Sequence, residues 1–125
     1  MLTILTNYEI YNTAMAYKEF FQNFNSYIPV KVNFYLQKNM NKLAAAAEEI
    51  EKARLEIAKH YGVIAEDGSS YSVPEELIPQ ANQELNNLFS IEQELDIKKV
   101  SLEDFGNVEF TPQQMQVIMF MIDEE

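Results

Sequence analysis

Neither cysteine nor tryptophan occurs anywhere in the 125 residues. Without Cys there is no disulfide, no thiolate nucleophile and no Cys-ligated zinc, a pattern that fits a reducing compartment. Histidine is represented by His60 alone, so triads, histidine relays and His-based zinc sites are excluded. Glycine appears three times, which leaves no Walker-type phosphate loop and no Gly-rich βα turn. No apolar run approaches the ~18 residues that span a bilayer, and the first residues lack the basic-then-apolar order of a signal peptide. These absences predict a soluble chain with no catalytic residue, no cofactor, no metal and no membrane partner. They exclude the common enzyme chemistries without naming a function.

Acidic residues dominate what is present. The net charge is −11, unevenly placed: residues 1–62 hold seven Lys/Arg and six Asp/Glu, whereas residues 63–125 hold two and fourteen, net charges of +1 and −12. An acidic surface repels nucleic acid and membrane and attracts basic proteins, although acidity also serves plain solubility. The length is that of one domain, and 47% hydrophobic residues are enough for a real core.

The chain is organised around the stretch from Pro29 to Gly62, which has no internal Gly or Pro and contains Leu43-Ala44-Ala45-Ala46-Ala47-Glu48-Glu49. These are strong helix formers. One helix from about Val30 to about Tyr61 is predicted, a rod of roughly 48 Å at 1.5 Å per residue. Val32, Leu36, Met40, Leu43, Ala47, Ile50, Ile57 and Tyr61 recur at steps of three and four as its buried stripe. Arg54 falls in that stripe and needs either an edge to reach water or a carboxylate; Glu94, Asp96 and Glu109 are the candidates. Val30, Phe34 and Leu55 lie on the flank, where a second partner, intramolecular or not, would cover them. Lys31, Lys38 and Lys42 share the opposite face, available to phosphates or to the acidic half. His60, in the last turn, suits the exposed carbonyls there.

On either side the signals are local. Met1 to Leu5 reads as a strand or a tucked terminus. Thr6 and Glu9 have capping-box spacing and open a helix to about Phe24 with a stripe of Ile10, Ala14, Tyr17, Phe21 and Phe24. Asn23-Phe24-Asn25-Ser26 closes it, making an antiparallel hairpin with the long helix. After Gly62, a hairpin of Val63-Ile64 with Tyr71–Val73 around Asp67-Gly68 and a mobile loop are both open readings. Ser72 to Glu75 has capping-box spacing before a helix from near Pro79 to Phe89, with Ile78, Ala81, Leu85 and Leu88 on its buried face. The alternation from Ile91 to Lys99 predicts a half-buried strand, and Val108-Glu109-Phe110 a second, paired antiparallel with it. Thr111, Pro112 and Gln114 start a terminal helix apolar nearly all round, to be buried or covered by a partner.

The predicted fold is therefore mostly α (α+β), one domain over 1–125. A helical hairpin occupies 1–62, and an acidic half over 63–125 carries a helix, two short strands and an apolar C-terminal helix. Glu92, Glu94 and Asp96 would share one strand face. They could hold a divalent cation, but no DxDxDG loop accompanies them, so the face reads as solvated. The candidate partner-binding residues are Glu92, Glu94, Asp96, Glu103, Asp104 and Glu109, with Phe34 and Met119 as apolar contacts. Met115, Met119 and Met121 beside Phe120 read either as core or as an adaptable surface.

Ile28-Pro29-Val30-Lys31-Val32 opening a long helix, Glu94-Leu95-Asp96-Ile97, Val100-Ser101-Leu102-Glu103-Asp104-Phe105, and Phe110-Thr111-Pro112-Gln113-Gln114-Met115 before an apolar end follow in an order that resembles small bacteriophage proteins of the domain-of-unknown-function family 1617. The likeness runs from about Asn7 to Glu125. It implies a phage-encoded protein made in the host cytoplasm and non-enzymatic, with no catalytic residue to carry over. The resulting expectation is a protein-binding accessory factor, either an inhibitor that occupies the basic surface of a host anti-phage protein or a virion, tail or head assembly component. Nucleic acid is not an expected partner, and homo-oligomerisation is left open.

Overall fold

The structure, a computed structural model, describes residues 2–21, 24, 27–64 and 71–123. Strand β1 (Thr3–Thr6) runs directly into helix α1 (Asn7–Phe21). The junction is the expected capping box: the Thr6 N–H donates to Glu9 Oε1 and the Glu9 N–H donates to Thr6 Oγ1, both at 3.1 Å. Helix α1 is described as far as Phe21 and Phe24 is not helical; Asn23, Asn25 and Ser26, expected to close the helix, lie outside the described residues.

Helix α2 (Val30–Tyr61) is the predicted rod, 32 residues without interruption. Pro29 precedes its first turn and Gly62 ends it, in extended backbone rather than a left-handed cap. Val32, Leu36, Met40, Leu43, Ala46 and Ile50 are buried, while Ile57 and Tyr61 are half-buried. Tyr11 of α1 reaches Glu51 late in α2, and Tyr17 and Phe21 lie beside Asn33 and Leu36 early in it, so the two helices run antiparallel.

Beyond Gly62, β2 (Val63–Ile64) and β3 (Tyr71–Ser72) pair antiparallel, the ladder of the hairpin reading; Asp67-Gly68 lies outside the described residues. Ser72 makes no cap. A 3₁₀ turn (Glu75–Leu77) follows Pro74 instead and leads into helix α3 (Ile78–Ser90), with Ala81 buried and Ile78 largely exposed.

The strand pairing departs from the sequence expectation. Strand β4 (Glu92–Leu95) pairs antiparallel with β1, Thr3 opposite Leu95 and Thr6 opposite Glu92. Strand β5 (Val100–Ser101) is followed by a 3₁₀ turn (Leu102–Phe105) and, after helix α4 (Pro112–Ile118) and a further 3₁₀ turn (Met119–Met121), pairs parallel with β6 (Ile122–Asp123). Val108-Glu109-Phe110 forms no strand. The Val108 N–H closes a turn on the Phe105 carbonyl, and the Phe110 ring packs between Phe24, Phe21 and Phe105 at centroid distances of 5.6, 6.0 and 5.5 Å. Burial of that aromatic ring, not ladder formation, fixes the segment. Gly106, at φ +63°, supplies the left-handed turn before it.

The terminal helix is also shorter than its composition suggests. Thr111 and Gln114 cap it reciprocally as expected, but it tightens to 3₁₀ after Ile118. Its apolar residues go inward: Val117, Ile118, Met121 and Ile122 join the core around α2. Met119 stays about half exposed.

Candidate partner-binding surface

Two buried asparagines position the acidic segment. Asn7, at the first turn of α1, donates from Nδ2 to the Leu88 carbonyl (2.9 Å) and accepts from Gln93 Nε2 (2.7 Å). Its own N–H donates to the Ile91 carbonyl at 2.8 Å. These bonds fix the end of α3 and the start of β4 against α1. Asn39, fully buried on α2, holds the next stretch: Nδ2 donates to the Lys98 carbonyl (2.9 Å) and Oδ1 accepts the Lys98 N–H (2.8 Å). A buried amide is satisfied only where both its donor and its acceptor find partners; this one meets the Lys98 backbone on both, and its Nδ2 also donates to Met121 Sδ at 3.6 Å. Neither Asn was singled out from the sequence. Asn39 carried a signal, a polar residue among Leu36, Met40 and Leu43; Asn7 carried none.

The helix lysines face the acidic half. Lys42 pairs with Asp96 at 3.7 Å and Lys31 with Asp104 at 3.5 Å. Their two helix positions are roughly 16 Å apart along the axis. Lys38 lies 5.3 Å over the Phe34 ring. Asp96 is held below the usual carboxylate range chiefly by Lys98 and then Lys42. Asp104 is held low chiefly by the Ser101 N–H, which donates to it at 3.0 Å in a capping box, with Lys31 assisting. Both are thus engaged by the protein itself. Glu92, Glu94, Glu103 and Glu109 are exposed and make no ion pair among the described residues.

The eight candidate residues do not form one patch. Glu92 and Glu94 share the outer face of β4, opposite Thr6 and Ile4, whereas Asp96 lies just beyond the strand, at a turn closed by the Ile97 N–H on the Leu95 carbonyl, with its carboxylate at Lys42 and Lys98. Glu109 borders a depression of about 490 Å³ with Tyr27, Pro29, Asn107 and Val108. Phe34 lies in a shallow groove of about 300 Å³ with Val30, Gln37 and Lys38. Met119 belongs to a third depression, with Leu5, Tyr8 and Phe120. Among the described residues no group of three or more His, Cys, Asp or Glu converges as a metal site would require, and no helix is long and apolar enough to cross a membrane.

Arg54 does not meet Glu94, Asp96 or Glu109. Its guanidinium grips Glu51, one turn back on α2, with Nε to Oε2 at 2.9 Å, and Tyr11 OH donates to the same carboxylate at 3.0 Å. The side chain leaves the stripe toward α1, where a neighbour on its own helix already offers the charge. Glu51 is held below the usual glutamate range chiefly by Arg54, and Tyr11 is raised above the usual phenol range chiefly by its bond to Glu51. A lowered carboxylate contributes stability above the ordinary glutamate range and loses it as pH falls through the lowered value. The Arg54→Met variant is therefore expected to lose less than about 1 kcal/mol at pH 7, and the difference from the wild type should fade in acid. Urea unfolding at pH 7 and pH 3 checks this; an equal or larger loss at pH 3 contradicts it.

Beside this network, Ala14, Tyr17, Met40, Ala44 and Ala47 line a mostly apolar groove of about 680 Å³ between α1 and α2. Compared with family models, curated proteins and solved structures, the chain matches none. The resemblance to the phage family therefore stands on the quoted residues alone.

Proposed function

We propose that this is a non-enzymatic, phage-encoded accessory protein that works in the host cytoplasm by binding another protein, in the form of an inhibitor occupying a basic surface of a host defence protein. The observation that carries this reading is the state of the carboxylates. Lys42 and Lys31 of α2 are spent on Asp96 and Asp104, while Glu92, Glu94, Glu103 and Glu109 stand exposed on the half whose net charge is −12. Such a field accelerates encounter with a cationic partner and disfavours nucleic acid and membrane.

Affinity capture from phage-infected cells with mass spectrometry identifies the partner, and its on-rate is then measured across ionic strength. The rate is expected to fall about tenfold or more as salt rises past roughly 0.15 M. The E92Q/E94Q/E103Q/E109Q variant should flatten that dependence. Asp96 and Asp104 are left intact because they hold the fold. A salt-independent rate, unchanged in the variant, overturns the reading.

A second reading, a virion, tail or head assembly component, draws on a different observation. Tyr27, Val30 and Phe34 are exposed near the start of α2, and an interface with a phage protein or a second copy would bury them.

A further inference from the structure

The two-stranded sheet of β1 and β4 has open edges, and its hydrogen-bond phase can be read. The Asn7 N–H donates to the Ile91 carbonyl directly opposite in the β1–β4 register. Hydrogen-bonded and non-hydrogen-bonded pairs alternate in an antiparallel ladder, so Leu5–Gln93 and Thr3–Leu95 carry the inter-strand bonds. Ile4–Glu94 and Thr6–Glu92 are the non-bonded pairs, and their N–H and C=O groups point outward. The Thr6 N–H agrees with this phase: it donates to Glu9, not to β4.

The two edges are not equivalent. On β1, Thr6 is committed to its cap, leaving Ile4. On β4, the N–H and C=O of both Glu92 and Glu94 meet no backbone or side-chain partner among the described residues. The edge ends at Asp96, whose carbonyl accepts from Lys42. The outer face carries the Glu92 and Glu94 side chains without a cation, with Ile4 exposed beside them. Unpaired strand edges are templates for an added strand. A second copy is disfavoured, because it would set Glu92 and Glu94 against the same carboxylates.

We infer that the β4 edge accepts an extended, basic segment of a partner protein, adding it as a third strand with lysine or arginine directly opposite Glu92 and Glu94. The inference rests on the acidic-surface reading and names its contact. Backbone pairing supplies the docking, and cross-strand charge selects for basic sequences.

The probe is a blocked seven-residue peptide alternating lysine and valine, titrated into the full chain and followed by amide NMR and calorimetry. Shifts should concentrate on residues 92–95, and the Glu92 and Glu94 amides should gain protection from exchange. E92Q/E94Q should weaken binding about tenfold. N-methylation of the central lysines, which removes the pairing donors and keeps the charge, should weaken it as much. E94P should bind more weakly than E94Q: proline removes an outward N–H, a change that edge strands tolerate, so unchanged circular dichroism is expected. Equal binding of the N-methylated peptide, shifts confined to other surfaces, or no binding at millimolar peptide overturns the inference. If the peptide fails while the partner's on-rate still drops with salt and in the four-glutamine variant, the edge is wrong and the acidic-surface reading survives.

Discussion

Ending the chain after Gln116 is expected to abolish cooperative unfolding. The deletion removes Val117, Ile118, Met121 and Ile122, all buried, of which Ile118 and Met121 are fully so. Burying such a side chain contributes about 1.5–3 kcal/mol, so the four together are worth about 6–12 kcal/mol. Total stabilities of about 5–15 kcal/mol leave little after that loss. Strand β6 goes too, and with it the pairing that holds Val100 and Ser101. The measurement is a thermal melt of the shortened chain by circular dichroism, with Met121→Ala as a milder comparison, expected to cost about 2–5 kcal/mol. A sigmoidal transition at the wild-type midpoint would instead show the segment to be dispensable, and its apolar residues free for a partner. The consequence for function is that the Met-rich terminus is core: of its described apolar residues, Met119 is the one left substantially at the surface.

That outcome could not be read from the terminal residues themselves, because an all-round apolar helix has the same sequence whether it is covered by its own chain or by another. Features set by neighbours in sequence were legible. Helix α2 and its bounds follow from the absence of breakers between Pro29 and Gly62, and the caps at Thr6 and Thr111 from the i, i+3 spacing of their partners. The face of β4 was legible as well, since alternation with Gln93 and Leu95 turns Glu92 and Glu94 outward. Its pairing was not. Period-two patterning states which side of a strand is wet but not which strand lies beside it, and β1, nearly 90 residues earlier, won over the nearer Val108–Phe110 because Phe110 had an aromatic cluster to enter. The same limit applies to the charges. Six carboxylates look alike in sequence, yet Asp96 and Asp104 lie within reach of Lys42 and Lys31 and the glutamates do not. Arg54 shows the opposite limit: its place in an apolar stripe points to a carboxylate on another segment, but Glu51, three residues back on the same helix, supplies the charge.

Replacing Asn39 should be the most costly polar substitution in the protein. Asn39→Leu keeps the branching and heavy-atom count of the side chain but strips the Lys98 N–H and carbonyl of their partners. Each unsatisfied buried group costs about 1–3 kcal/mol. Lys98 is only half-buried, so water can recover part of this, and a loss of about 3 kcal/mol is expected. Asn39→Asp separates the causes. It keeps an acceptor for the Lys98 N–H, loses the donor to the carbonyl, and places a carboxyl where the residue has no exposure. Burial raises the pKa of such a group, so the charged form opposes folding at neutral pH. The penalty is then relieved as pH falls through the raised value, the reverse of the acid loss expected at Glu51. Chemical denaturation of both variants from pH 4 to pH 8 makes the test. Asn39→Leu should run parallel to the wild type at a fixed deficit, and Asn39→Asp should converge toward it in acid. If the Asp variant stays parallel as well, Asn39 is not sealed from water and the 96–99 segment is not clamped as described. In that case Asp96 would be free to leave Lys42 and join Glu92 and Glu94 in meeting a cationic partner.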